Sequence, residues 1–119
     1  MKEIDRTEAA RKPETIRERL SNRRPSESFN VECNGQDYIA TVSHFPDGRL
    51  GEIFLVSHKT GSHADTAARD AAIAASIAFQ YGASPDTIRY ALCRDSRWYP
   101  NGPLGAALDL IAAQDRGQR

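Results

Sequence analysis

The sequence has little cysteine, no net charge and no long run of apolar residues. Two cysteines among 119 residues are too few for a disulfide scaffold, and Cys33 and Cys93 lack the close spacing of zinc ligands. Without a long apolar run, or a charged and then apolar leader, we expect neither a membrane-spanning helix nor a signal peptide. These absences predict a cytoplasmic protein with reduced thiols and no membrane partner.

The charge balance also argues against nucleic-acid binding. The chain has 16 basic and 16 acidic residues, whereas a protein that coats nucleic acid by charge alone needs a basic excess. Basic residues outnumber acidic ones within residues 1–24, but the two signs alternate there. Such alternation is more typical of a solvated helix face than of a phosphate-binding patch, so we expect no nucleic-acid partner.

The chain divides into a charged N-terminal arm, residues 1–24, and a single domain, residues 25–119. Pro13 suits the first turn of a short helix over residues 13–22. Its stripe of Ile16 and Leu20 needs a surface to lie on, because an isolated helix of this length is marginal in water. We expect residues 1–11 to be mobile.

Residues 28–59 predict a three-stranded antiparallel meander. Apolar and polar residues alternate over 29–33, and the Asn34-Gly35 pair that follows is typical of a type I′ hairpin turn. A second strand over 37–45 turns through Pro46-Asp47-Gly48 into a third strand over 51–58.

The third strand has four consecutive apolar residues, from Ile53 to Val56, so both of its faces need cover. Helices that follow the sheet in the chain cover one face only. We therefore expect the other face to be covered by the helix of the arm, by a second subunit or by a protein partner.

Three helices are predicted after the strands, which gives an α+β fold of order β-β-β-α-α-α with the helices packed on one face of the sheet and a leading helical arm. The first is rich in alanine, carries Ile73, Ile77 and Tyr81 four residues apart on one side, and stops at Gly82. Ser84 and Pro85 are typical of the start of the second helix, which we expect to run to about Arg94. Its predicted buried residues are Ile88, Ala91 and Leu92. A third helix begins at Pro103.

The junction between the third strand and the first helix is a candidate anion-binding site. Free amides at a helix start, beside a glycine, attract phosphate or carboxylate groups, and nearby cations and hydroxyls strengthen the effect. The candidate residues are Lys59, Thr60, Gly61, Ser62 and His63. In the alternative interpretation Ser62 or Thr60 only caps the helix, and Lys59 faces water.

The loop after the second helix is a candidate interaction surface formed by Arg94, Arg97, Trp98 and Tyr99. Aromatic residues and arginine dominate the energetics of protein interfaces, and they also stack on bases. In the alternative interpretation Trp98 folds back to cover the ends of the helices.

No catalytic residue, metal site or cofactor is predicted. His44, His58 and His63 match no metal-binding signature. Cys33 and Cys93 lie in apolar patterns typical of packing, although Arg94 beside Cys93 leaves a redox role open.

Several segments together resemble the TSCPD domain family, a module found near the C-terminus of cobalamin-dependent (class II) ribonucleotide reductases and in small stand-alone proteins. The resemblance covers residues 29–111. The matching segments are PDGR (46–49), GEIFL (51–55), KTGS (59–62), AARDAA (67–72), GASPDTI (82–88) and GPLGAALD (102–109). The Thr-Ser-Cys-Pro-Asp motif that names the family is replaced by YPNGP at 99–103, so no thiol or metal role of the family is carried over.

The resemblance implies the fold and a tie to deoxyribonucleotide metabolism, in a bacterial or phage protein. It implies no reductase activity, because 119 residues hold neither the barrel nor the radical cysteine of such an enzyme. Two functions remain: a non-catalytic binding module that forms a homodimer, with a strand edge or the alanine-rich helix at the seam, or a nucleotide-binding accessory protein that uses residues 59–63.

Overall fold

The structure, a computed structural model, describes residues 16–117. In this part of the chain three strands form one antiparallel sheet in the order β1-β2-β3. They are followed by three helices, which confirms the predicted α+β order. The elements are β1 (Glu27–Cys33), β2 (Gln36–His44), β3 (Leu50–Ser57), α1 (His63–Gln80), α2 (Pro85–Ala91) and α3 (Pro103–Gly117).

The hairpin between β1 and β2 has the predicted two-residue turn. Cys33 pairs with Gln36, and the φ angles of Asn34 and Gly35 are 52° and 79°. Both residues are therefore left-handed, as a type I′ turn requires. This turn sets the register that places Val31 and Tyr38 opposite each other on the buried face of the sheet.

The core lies between one face of the sheet and the helices α1 and α3. The largest fully buried side chains are Ile53, Leu55, Leu108 and Val31. Helix α1 contributes the small residues Ala68, Ala72 and Ala75 to this core. Because these alanines bury little side-chain bulk, the helix packs close to the sheet, and its heavier side is left in solvent.

That heavier side is the stripe of Ile73, Ile77 and Tyr81, which is exposed; Ile73 is 49% accessible. The three residues of this stripe are regularly spaced four apart, but the stripe faces away from the sheet. Periodicity places residues on one face of a helix without saying which face is buried.

Polar side chains of α1 cover the free edge of β3. Ser76 Oγ accepts the N–H of Ile53 at 2.9 Å and donates to the carbonyl of Ile53 at 2.9 Å. Gln80 Nε2 donates to the carbonyl of Gly51 at 2.9 Å. Because unpaired strand edges recruit other strands, this cover keeps β3 from pairing with a second chain along that edge.

Helix α2 ends earlier than predicted. It stops at Ala91, which is exposed rather than buried, and Leu92 has extended backbone angles of φ −77° and ψ 159°. Ile88 and Leu92 are partly buried against the core, as expected. The chain leaves the helix here because Arg94 forms a β-bridge with Pro100.

The described part of the arm is not helical, contrary to the prediction for residues 16–22; the first residues of that predicted helix and the segment 1–11 lie outside the described part. The N–H of Glu18 donates to the carbonyl of Gln80 at 2.8 Å. Leu20 passes so close to Gly51 that a Cβ there would lie 2.9 Å from Leu20 Cδ2. Contacts with the end of α1 and with β3 therefore replace the internal hydrogen bonds of a helix.

Candidate functional site

The carboxylate of Asp65 organises the junction between β3 and α1. Its Oδ1 accepts the N–H of Ser57 at 2.8 Å, and its Oδ2 accepts the N–H of Gly61 at 3.0 Å and Nε of Arg69 at 3.0 Å. The side chain is 3% exposed. The hydrogen bonds from the two backbone amides hold the pKa of Asp65 below its ordinary value. The backbone amides of Ser57 and Gly61 at this junction are therefore already occupied by the carboxylate of Asp65.

Ser62 and Gly61 use their polar groups within the junction, and Lys59 does so through its backbone, whose N–H donates to Ser57 Oγ at 3.0 Å. Ser62 caps α1: its Oγ accepts the N–H of Asp65 at 3.1 Å and donates to the carbonyl of Lys59 at 2.8 Å. Gly61 donates its N–H to Asp65. The capping interpretation thus holds for Ser62.

Three of the candidates at this junction, Lys59, Thr60 and His63, are exposed. Lys59 and Thr60 lie in the turn, and His63 is the first residue of α1. Anion binding by these residues stays a prediction.

Arg94 anchors the loop of residues 93–101. Its guanidinium meets the carboxylate of Asp109 with two hydrogen bonds, Nη1 to Oδ2 at 2.9 Å and Nη2 to Oδ1 at 2.7 Å. Nη1 also donates to the carbonyl of Trp98 at 3.0 Å. The hydrogen bonds from Arg94, supported by Arg89, hold the pKa of Asp109 below its ordinary value. The Arg94 side chain is 3% exposed, so its place in the predicted interaction surface is corrected: it is buried and holds the loop.

Asp95 closes the tip of this loop. Its Oδ1 accepts the N–H groups of Arg97 and Tyr99, both at 2.9 Å, and its own N–H donates to the carbonyl of Tyr99 at 2.9 Å. Trp98 has a φ of 71°, a left-handed conformation that usually belongs to glycine or asparagine. The loop is therefore fixed by its backbone and its polar groups, and not by burial of its aromatic rings.

Those rings face solvent. Trp98 is 57% exposed and Tyr99 is 60% exposed, so Trp98 does not fold back over the helices. Each ring has an arginine beside it: the guanidinium of Arg94 lies 4.9 Å from the Trp98 ring centre, and that of Arg97 lies 5.5 Å from the Tyr99 ring centre. The structure thus brings three of the four predicted surface residues, Arg97, Trp98 and Tyr99, together on an exposed loop.

The face of the sheet opposite the helices carries a second exposed apolar group. Phe54 is 47% exposed, and Ile39 and Val56, which pair across β2 and β3, are half-buried. The described arm reaches only one end of this face, where Arg24 Nη2 pairs with Glu52 at 2.8 Å. Within residues 16–117 nothing covers the centre of the face. The sequence predicts that the helix of the arm, a second subunit or a protein partner covers it, and the described part of the arm does not.

The two cysteines differ in exposure. Cys33 is buried, and desolvation raises the pKa of its thiol, which makes it less reactive. Cys93 is exposed, not packed as predicted, because α2 ends before it. Residues 16–117 contain no group of three His, Cys, Asp or Glu side chains placed to hold a metal ion. Among their helices, none combines the length and apolar character needed to span a bilayer.

The residues that sequence reasoning missed are buried polar groups. Asp65, Ser76 and Gln80 lie on one side of α1, within a face otherwise made of alanine and phenylalanine. Their spacing of eleven and four residues, which places them on one helix face, was a usable signal. Asp109 offered no comparable signal, since its role depends on Arg94, which is distant in sequence.

Comparison with known proteins places the chain beside one enzyme. It is 38% identical over 66 residues to the vitamin B12-dependent ribonucleotide reductase of Agrobacterium fabrum, a match that covers 56% of this chain and 5% of the reductase. For the same enzyme of Bradyrhizobium diazoefficiens the values are 33% over 88 residues, 74% of this chain and 7% of the reductase. The chain is 33% identical over 72 residues to the enzyme of Streptantibioticus cattleyicolor, and this match covers 60% of this chain and 12% of the reductase.

The chain is therefore homologous to a segment of vitamin B12-dependent ribonucleotide reductases, and it spans only a small fraction of their length. No family model and no solved structure matches it.

Proposed function

We propose that this chain is a small, non-catalytic binding module of the TSCPD type, which acts through protein–protein contacts and forms a homodimer. The observation that carries the proposal is the outer face of the sheet, where residues 16–117 leave Phe54 of the edge strand β3 and the neighbouring pair Ile39 and Val56 without a cover. The third strand is apolar on both faces, and the helices of the chain cover only one of them. Burial of the other face against a second copy is therefore favoured.

The charges at the two ends of this face favour a self-complementary contact. Glu32 and Asp37, which pair with each other, lie exposed at the end near the β1–β2 turn. Arg23 and Arg24 lie at the opposite end, where Arg24 reaches Glu52. Because Arg24 is paired with Glu52, the cation available at that end is Arg23. Two sheets packed face to face about a two-fold axis, with their strands running in opposite directions, set Arg23 of one copy near Glu32 and Asp37 of the other.

The two seams considered from the sequence are less favoured. The alanines of α1 face the chain's own core, and the edge of β3 is covered by Ser76 and Gln80. The edge of β1 is left as the strand edge open to pairing. On the outer face the β1 residues Ser28, Asn30 and Glu32 are polar, so the apolar side chains proposed for the contact are those of β2 and β3.

The test is the solution mass of the full chain across a range of concentrations, measured by light scattering during size exclusion. A homodimer gives about twice the chain mass of 13.2 kDa. A mass of one chain at every concentration contradicts the dimer.

A second candidate function is nucleotide or phosphate binding at Lys59–His63, as an accessory to deoxyribonucleotide metabolism. The observation that favours it is the similarity to enzymes named ribonucleotide reductases, together with the exposed Lys59, Thr60 and His63 at the start of α1. Loss of nucleotide binding in Lys59→Ala, with Arg97→Ala as the matched control for an exposed cation, supports this function. Absence of binding at millimolar nucleotide contradicts it.

A further inference from the structure

A cleft of about 600 Å³ lies on the helical side of the molecule, away from both the outer sheet face and the junction at residues 59–63. Five parts of the chain form it: the β2–β3 turn with the adjoining strand ends, the last turn of α1, the link between α1 and α2, helix α2 itself and the C-terminal half of α3. Its volume is within the range of sites that hold small organic molecules.

The interior of the cleft is apolar. Leu50, Phe79, Leu108 and Ile111 line it, and all four also belong to buried parts of the fold. Small residues on its walls, such as Ala112 and Gly82, leave the space open. These four side chains are at most 8% accessible and form the floor of the cleft, so the surface offered to a ligand comes from less buried residues around them, such as Tyr90 and Ala112.

The rim of the cleft carries charged groups of both signs. Arg49, Arg89 and Arg116 line it, against Asp86 and Asp115. Arg89 is engaged with Asp86 at 3.2 Å, and also with Asp109. Ionised arginine binds carboxylate and phosphate through paired hydrogen bonds, so an arginine with unused N–H groups at the mouth of the cleft is the group that can bind an anion.

Two of these guanidinium groups retain binding capacity. Within residues 16–117, Arg116 forms no ion pair. Arg49 uses Nε for Asp47 and Nη2 for Glu18, and its Nη1 has no acceptor in the described part of the chain. The exposed ring of Tyr90 lines the same cleft and offers a face on which a flat ring can stack.

We propose that this cleft binds a small organic anion with an apolar, ring-bearing body. The body lies against Tyr90 and Ala112, above the floor formed by Leu108 and Ile111, and the anionic group meets Arg49 and Arg116. A nucleoside phosphate and an aryl carboxylate share this chemistry, and competition distinguishes them. The proposal does not depend on the homodimer, since the cleft and the outer sheet face are built from different residues.

The test uses the full chain and the fluorescent probe anilinonaphthalene sulfonate, which is itself an aromatic anion. Ala112→Trp fills the cleft from a half-buried position, and Ala113→Trp places the same ring on the exposed side of the same helix. Arg116→Glu reverses the charge at the rim, with Arg19→Glu, at an exposed arginine of the arm, as its matched control. Circular dichroism and thermal unfolding confirm that each variant is folded.

Ala112→Trp and Arg116→Glu are expected to weaken probe binding about tenfold or more, while both controls bind as the unmodified chain does. Displacement of the probe by adenosine diphosphate identifies a nucleoside phosphate, and displacement by phenylacetate identifies an aryl carboxylate. Either result supports the proposal. Equal probe binding by Ala112→Trp and Ala113→Trp overturns the proposal. It is also overturned if inorganic phosphate displaces the probe as effectively as adenosine diphosphate and phenylacetate do.

Discussion

The junction at residues 57–65 and the loop at residues 93–101 are both rich in polar groups, but they use them differently. At the junction the Asp65 carboxylate turns inward and accepts the amides of Ser57 and Gly61. In the loop the polar groups of Arg94 and Asp95 hold a backbone that leaves Trp98 and Tyr99 in solvent.

The polar groups of the junction stabilise the fold, whereas those of the loop hold aromatic side chains in an exposed position. Buried polar groups that satisfy each other fix the path of the chain and leave nothing to offer a partner. Large aromatic side chains left in water on a backbone fixed by other residues add little to folding, and their surface is available for recognition. Of the two sites indicated by the sequence, the loop is therefore the stronger candidate for contact with a partner.

The largest effect is expected for Arg94→Ala. Removal of this buried guanidinium takes both hydrogen bonds from Asp109 and releases the carbonyl of Trp98, at a cost of about 2–4 kcal/mol in the free energy of unfolding. Chemical denaturation measures it. Arg97→Ala, on the exposed tip of the same loop, is the control and should change stability by less than about 0.5 kcal/mol. Equal effects of the two variants would show that the loop has no anchor.

Asp65→Asn should produce the next largest effect, and one that depends on pH. The folded pKa of Asp65 is lowered, so its carboxylate stabilises the fold above the ordinary aspartate pKa of about 4. That contribution is lost as the pH falls through the lowered folded value. Unfolding measured from neutral to acidic pH should therefore show a gap between the unmodified chain and Asp65→Asn that narrows with acidification. A gap that is constant with pH would contradict an ionised Asp65.

Ser76→Ala tests the cover of the β3 edge. The substitution leaves both the N–H and the carbonyl of Ile53 without their side-chain partner, at a cost of about 1–3 kcal/mol. Thermal or chemical unfolding measures the loss, and Ser96→Ala on the exposed loop is the control. Faster hydrogen exchange at Ile53 should accompany the loss, and unchanged exchange there would mean that the edge is protected by something else.

The smallest effect is expected for Trp98→Gly. Glycine relieves the left-handed strain at φ 71°, worth about 1 kcal/mol, while the lost stacking on Arg94 costs about 0.5–1 kcal/mol. The two nearly cancel, so the free energy of unfolding should change by about 0.5 kcal/mol or less. A loss of about 2 kcal/mol would make Trp98 a residue of the fold, and the distinction between the two regions would fail.

Local signals in the sequence predicted most of the fold. The Asn34-Gly35 turn and the cap at Ser84 depend on backbone geometry within a few residues, and both are present. The prediction of a helix in the arm was wrong for residues 16–22. The residues that the arm contacts there, Gln80 and Gly51, are distant in sequence, so no local pattern could indicate them.

The same limit applies to the candidate site. Composition indicated Trp98 and Tyr99, which are exposed, but it also grouped Arg94 with them. Only the approach of Asp109, from another helix, makes Arg94 a buried anchor. Pairings between distant segments leave no periodic trace, so they could not be predicted from one sequence.

The central claim, a homodimer formed by the outer sheet face, is tested most directly by the self-association of Phe54→Glu. Ile73→Glu is the matched control, because Phe54 and Ile73 are similarly exposed, at 47% and 49%, and Ile73 lies on α1. We predict that the dimer mass is kept in Ile73→Glu and that Phe54→Glu falls to the mass of one chain. A dimer that survives Phe54→Glu and dissociates in Ile73→Glu would contradict the account and place the contact on α1.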